Sequence, residues 1–106
     1  MERNEDILRQ LSAMAHRLFD EGRGEVYLYG SRAKGTATFQ SDWDLLIVTD
    51  DSLSTSDNFV KFALPFAEIG WRTGEQVTPL HYTRSQWAAE SSTAFYHNVM
   101  STRIRL

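Results

Sequence analysis

The run Asp44 to Val48 reads DLLIV, four apolar residues in succession behind an acid. A strand with one wet face alternates apolar and polar residues. A run without alternation belongs to a strand covered on both faces, so this segment demands a sheet with packed layers on either side. Its acidic head is the anomaly. Asp42 and Asp44 flank Trp43, although Asp is depleted in strands. At strand spacing, residues i and i+2 share a face with Cα atoms roughly 6–7 Å apart. Two carboxylates so close repel, and one tends to take up a proton unless a cation lies between them. Hard oxygen ligands of this kind suit Mg2+, which keeps waters and shares substrate phosphates.

Upstream, Val26, Tyr27, Leu28 and Tyr29 have strand composition and stop at Gly30, the residue type that permits a tight turn and close approach to a ligand. Ser31 follows where an N-cap or a phosphate-binding hydroxyl is expected, opening one helical turn through Arg32, Ala33 and Lys34. Arg32 and Lys34 add cationic side chains beside a turn that favours anions. Gly35 ends the turn, and ten residues separate Ser31 from Asp42. Taken alone, Gly30 and Ser31 read as a turn and a cap. Their fixed spacing to the Asp pair favours nucleotide and metal binding.

Gly-Ser, ten residues, Asp-x-Asp between two strand-like runs resembles the minimal nucleotidyltransferase branch of the DNA polymerase β-like nucleotidyltransferase superfamily. The resemblance implies an α/β fold, a small mixed β-sheet packed by helices. It implies that Gly30 and Ser31 hold the β and γ phosphates of a nucleoside triphosphate, ATP by default, and that Asp42 and Asp44 bind Mg2+. The implied reaction is transfer of a nucleoside monophosphate to an acceptor hydroxyl with release of pyrophosphate. The family also uses a third carboxylate on a later strand beside the Asp pair. Glu75 is assigned that place as a catalytic and metal-binding residue, with Thr78 as the alternative. These two differ by an odd number of positions, so only one can face the Asp pair in a regular strand. Larger relatives carry a further domain for the acceptor, and this chain has no residues left over to build one. Minimal members are often paired with a helical HEPN protein, so the resemblance implies either such a partner or a homodimer. A tyrosine hydroxyl of the partner is the expected acceptor, ahead of an aminoglycoside-like alcohol. The alternative function is a catalytically weak nucleotide-binding module, antitoxin-like and acting through its partner, which Thr78 in the third position would favour.

Bulk properties fit that reading. At 106 residues and 42% hydrophobic content, one domain over 1–106 with a modest core is expected. The absence of cysteine excludes disulfides and thiolate metal sites, and His16, His81 and His97 are too scattered to suggest zinc. A formal charge of −3 argues against an extended nucleic-acid surface. No apolar run has the length of a membrane span, and the acidic, polar start is unlike a secretion leader, so a cytoplasmic location is expected.

The remaining elements follow from periodicity and caps. Residues 3–21 carry Ile7, Leu8, Leu11, Met14, Ala15, Leu18 and Phe19 at helical spacing. Ser56 or Asp57 opens a second helix through Ile69, kinked or shortened by Pro65. A third strand is expected over Gln76–Tyr82, a capping box at Thr83 and Gln86 before a short helix, a helix over Thr93–Met100, and a short strand over Arg103–Leu106. Trp43, Trp71, Trp87 and the Phe run of the second helix are expected in the core, with Trp43 packed beneath the Asp face.

Overall fold

The computed structural model describes residues 2–19 and 22–106. α1 (Glu2–Leu18) precedes β1 (Gly24–Tyr29), a single helical turn α2 (Ser31–Lys34) and β2 (Trp43–Thr49). After a 3-10 turn, a π-helical turn over Phe59–Ala63 runs into α3 (Leu64–Thr73); β3 (Val77–Thr83), α4 (Arg84–Ala89), α5 (Ala94–Thr102) and β4 (Ile104–Arg105) complete the order. The helical part of the predicted 3–21 segment stops at Leu18. Asp20 and Glu21, the last but one and last residues of that predicted helix, lie outside the described residues.

The sheet has the order β3-β2-β1-β4, with β2 parallel to β3 and β1 antiparallel to both of its neighbours. β2 is therefore interior, which is why its apolar run does not alternate: every residue of β2 except Asp44 is buried. One face carries Val26, Leu28, Trp43, Leu45 and Ile47 against Ile7, Leu11 and Ala15 of α1 and Phe62, Phe66 and Ile69 of the second helical run. The i, i+4, i+8 spacing on α1 and the i, i+4, i+7 spacing on the second run place each set on one helical stripe. The other face carries Leu46 and Val48 with Trp87 and Val99, joined by Tyr27, Tyr29, Leu80, Tyr82, Phe95 and Tyr96. Asp44 belongs to this second face by strand parity, as does Asp42.

Two predicted core residues are on the surface. Trp71 is 72% exposed and Phe59 is 59% exposed. Pro65 lies in the first turn of α3 and has no N–H to continue an α-helical ladder. The turn before it is π-helical, and its longer period takes Phe59 off the stripe that buries Phe62 and Phe66. Trp71 falls beside the stripe ending at Ile69. The expected capping box forms, Thr83 and Gln86 bonding reciprocally at α4; Thr93, the first residue of the expected last helix, caps α5. The cap expected from Ser56 or Asp57 does not form: the second helical run opens at Phe59 behind Asn58, with no side-chain cap bond.

Candidate functional site

The end of β1 meets the head of β2 through one glycine. Gly30 has φ 75° and ψ −156°, a conformation essentially restricted to glycine. A Cβ at this position would lie 2.5 Å from Asp44 Oδ2. The Gly30 carbonyl accepts from the N–H groups of Ala33 at 3.1 Å and Lys34 at 3.0 Å, which starts α2. Gly30 is thus the N-cap that the sequence reading gave to Ser31, and Ser31 is the first helical residue, its hydroxyl outside the cap. Lys34 is exposed at the end of the same turn.

Across the sheet, Asp44 pairs with Tyr29 of β1 on one side and with Thr78 of β3 on the other. Burial raises the Asp44 carboxyl above its ordinary range, and the charge of Asp42 raises it further. Burial followed by the Asp44 charge pushes the Tyr29 phenol up to about 12. Thr78 Oγ1 donates to Asp42 Oδ2 at 3.3 Å. The place on β3 beside the Asp pair is therefore a hydroxyl. A half-buried carboxylate disfavoured by its neighbour's charge is the donor set a hard divalent cation relieves, so Asp42 and Asp44 fit Mg2+.

Glu75 does not join them. It shares parity with Val77, which packs on the opposite face with Trp43. Its Oε1 accepts from the Trp43 indole N–H at 2.9 Å, its Oε2 accepts from Arg3 Nε at 2.9 Å, and Arg32 Nη2 stands 3.7 Å from Oε1. These bonds, the indole first, hold its carboxyl below the ordinary range. Glu75 is accordingly corrected from a metal ligand of the Asp pair to a partner of Trp43. Among the described residues no three His, Cys, Asp or Glu side chains form a metal-sized group.

Arg32 is likewise placed away from a phosphate position beside Ser31. Its side chain is 5% exposed, lies 4.4 Å above the Trp43 ring and donates to the Ser41 carbonyl. Of the predicted residues, Gly30, Ser31, Asp42 and Asp44 come together at one end of the sheet, while Arg32 and Glu75 sit behind them on the Trp43 side. Alternation already separates Trp43 from the Asp pair, and the parity of Glu75 with Val77 was the signal for its place. The Arg32 bond to Ser41 had no such signal, because it depends on how the 35–41 loop folds back.

The family described as "Nucleotidyltransferase domain" matches residues 8–84, a span containing every one of these residues. The chain belongs to this family. A search of curated proteins finds no match. Among solved structures, the nucleotidyltransferase domain is similar to a crystal structure of a toxin–antitoxin with AMP-PNP. The likeness has a TM-score of 0.58 at 18% identity and covers 96% of this chain and 71% of the other. At that identity it shows a shared fold, the mixed sheet with its helices. The Gly-Ser turn and the Asp pair of the nucleotidyltransferase domain occupy adjacent strand ends of that sheet.

Proposed function

We propose that this nucleotidyltransferase domain binds a nucleoside triphosphate, ATP by default, together with Mg2+, and transfers the nucleoside monophosphate to an acceptor hydroxyl. The observation that carries this reading is the contact of the Gly30 turn with Asp44: the backbone of the Gly-Ser turn lies directly against the Asp44 carboxylate. In the reaction, the acceptor oxygen forms a bond to the α-phosphorus as the bond to the bridging β-phosphate oxygen breaks. Pyrophosphate leaves, and the acceptor proton passes to solvent. Asp42 and Asp44 would hold Mg2+, which would supply neutralisation of the triphosphate and leaving-group charge. Ser31 and the N–H groups of the turn orient the terminal phosphates, Lys34 adds a cation beside them, and Tyr29 closes the floor next to Asp44. The acceptor is a hydroxyl on a protein partner, a reading the toxin–antitoxin neighbour supports; a HEPN-like protein is the partner suggested by the resemblance to minimal family members. A second copy of the chain is the alternative partner.

One observation favours a second reading, a nucleotide-binding module with weak turnover. Thr78, not a carboxylate, stands beside the Asp pair, leaving one fewer anionic ligand on the acceptor side. Titration calorimetry of Mg·ATP into the wild type and Asp42→Asn/Asp44→Asn, with pyrophosphate release followed in cell lysate, tests both. Binding and release that the double variant weakens by at least ~100-fold support the transferase. Binding without release, with release gained in Thr78→Asp, supports the module. A wild type that takes up no Mg·ATP overturns both.

A further inference from the structure

The Gly-Ser turn and the Asp pair are separated by ten residues, and most of that link has no regular structure. Residues 34–36 and 38–40 are exposed, and the local bonds of the loop, from Ser41 N–H to Thr38 O at 3.1 Å and from Thr38 N–H to Ser41 Oγ at 2.9 Å, tie the loop only to itself. The β1–β2 register sets Tyr29 opposite Asp44, and a second tie joins the two ends of the link. Arg32 is the neighbour of Ser31, and Ser41 is the neighbour of Asp42. Arg32 Nη2 and Nε both donate to the Ser41 carbonyl, at 3.0 and 3.3 Å. The same guanidinium covers the Trp43 ring at 4.4 Å, between the two Asp positions but on the reverse face. Trp43 is held from its other edge, its indole N–H donating to Glu75 at 2.9 Å, while Glu75 is anchored by Arg3 of α1.

We infer that Arg32, seated by Trp43 and Glu75, is a positioning residue: it closes the 31–42 link from behind and, together with the β1–β2 register, sets the distance between the phosphate-facing turn and the metal-facing carboxylates. The inference rests on the proposed function. Arg32 itself reaches no ligand, since its side chain is buried behind the Asp face. A planar guanidinium can fork onto one carbonyl and stack on an indole together; an ammonium does neither well, so lysine is not a conservative replacement here. A misplacement of about 1 Å between such groups costs on the order of 100-fold.

The test is calorimetric titration of Mg·ATP into the wild type, Arg32→Lys, Glu75→Ala and Glu75→Gln, at a temperature where circular dichroism shows each folded. Arg32→Lys and Glu75→Ala are expected to weaken Mg·ATP binding by about tenfold or more. Glu75→Gln still accepts the indole N–H and is expected to restore binding to within about threefold of wild type. A purely structural role would lower the thermal midpoint of these variants and leave the affinity of the folded protein unchanged, which overturns the inference. Equal loss in Glu75→Gln and Glu75→Ala also overturns it. Should Arg32→Lys fail to fold, the Glu75 pair decides alone. A wild type that does not bind removes the proposed function and the inference together, whereas binding that Arg32→Lys and Glu75→Ala leave intact removes the inference only.

Discussion

Gly30 carries two separate constraints, and a comparison with Gly35 resolves them. Both have positive φ, 75° and 80°. Gly35 is in the left-handed region with open space where a Cβ would go, while Gly30 has Asp44 Oδ2 at 2.5 Å from that position. Gly35→Ala therefore meets backbone strain alone, about 1 kcal/mol. Gly30→Ala meets strain of about 1–3 kcal/mol and also pushes the Asp44 carboxylate aside. We predict that both variants lower the thermal midpoint, but that only Gly30→Ala weakens Mg·ATP binding by tenfold or more in calorimetry. Equal affinities in the two would separate the glycine from the site. That Gly30, Ser31, Asp42 and Asp44 gather at adjacent strand ends was legible in the sequence because it depends on residue type and strand parity. The bond of Arg32 to Ser41 was not, because a cation beside a phosphate turn looks alike whichever way the loop folds, whereas the face of Glu75 could be read from its parity with Val77.

At the scale of elements, the hydrophobic pattern located β1, β2, β3 and the long helices, and the capping box at Thr83 and Gln86 placed the start of α4. What it could not supply was the π-helical turn ahead of Pro65, which turns Phe59 outward and brings Phe62 over β3. Phe62 stacks on His81 with centroids 5.0 Å apart, and His81 Nε2 lies 2.8 Å from the buried Thr49 hydroxyl. Burial between these elements lowers the His81 pKa below its ordinary 6.5. The folded state therefore binds fewer protons at this site than the unfolded chain, so its contribution to stability is complete above pH 6.5 and is lost as the pH falls through the lowered value. Thermal midpoints measured from pH 7 down to pH 5 should decline in the wild type and decline less in His81→Gln. The scan stops above the range in which Asp51 and Glu75, both held low by their hydrogen bonds, begin to protonate. A slope unchanged by the substitution would place the acid sensitivity elsewhere.

Across the whole molecule, the candidate site and the ion pairs of Arg84 lie at opposite ends of the sheet. Gly30, Asp42, Asp44 and Thr78 gather where β1 finishes and β2 and β3 begin; the start of β1 and the end of β2 lie five residue pairs away in the antiparallel register, a distance of about 17 Å. There Arg84, the first residue of α4, donates to both carboxylate oxygens of Glu25 at 2.7 and 2.6 Å and to Asp50 at 2.5 Å, tying α4 to β1 and to the exit of β2. Arg84 is 41% exposed and Glu25 15%, so solvent screening discounts the pair, and its loss leaves a partly buried Glu25 without its cation. Arg84→Ala is expected to cost about 1 kcal/mol, a fall of about 5 °C in the thermal midpoint for a domain of this size. Because the knot shares no partner with the Asp pair, its effect should not couple to the site. Mg·ATP affinity in Arg84→Ala is predicted to stay within about twofold of wild type, measured well below its midpoint. That result, set against Arg32→Lys, separates a residue that holds the fold from one that places the chemistry. An affinity lost in Arg84→Ala as in Arg32→Lys would mean that the site follows global stability, and that no local clamp governs it.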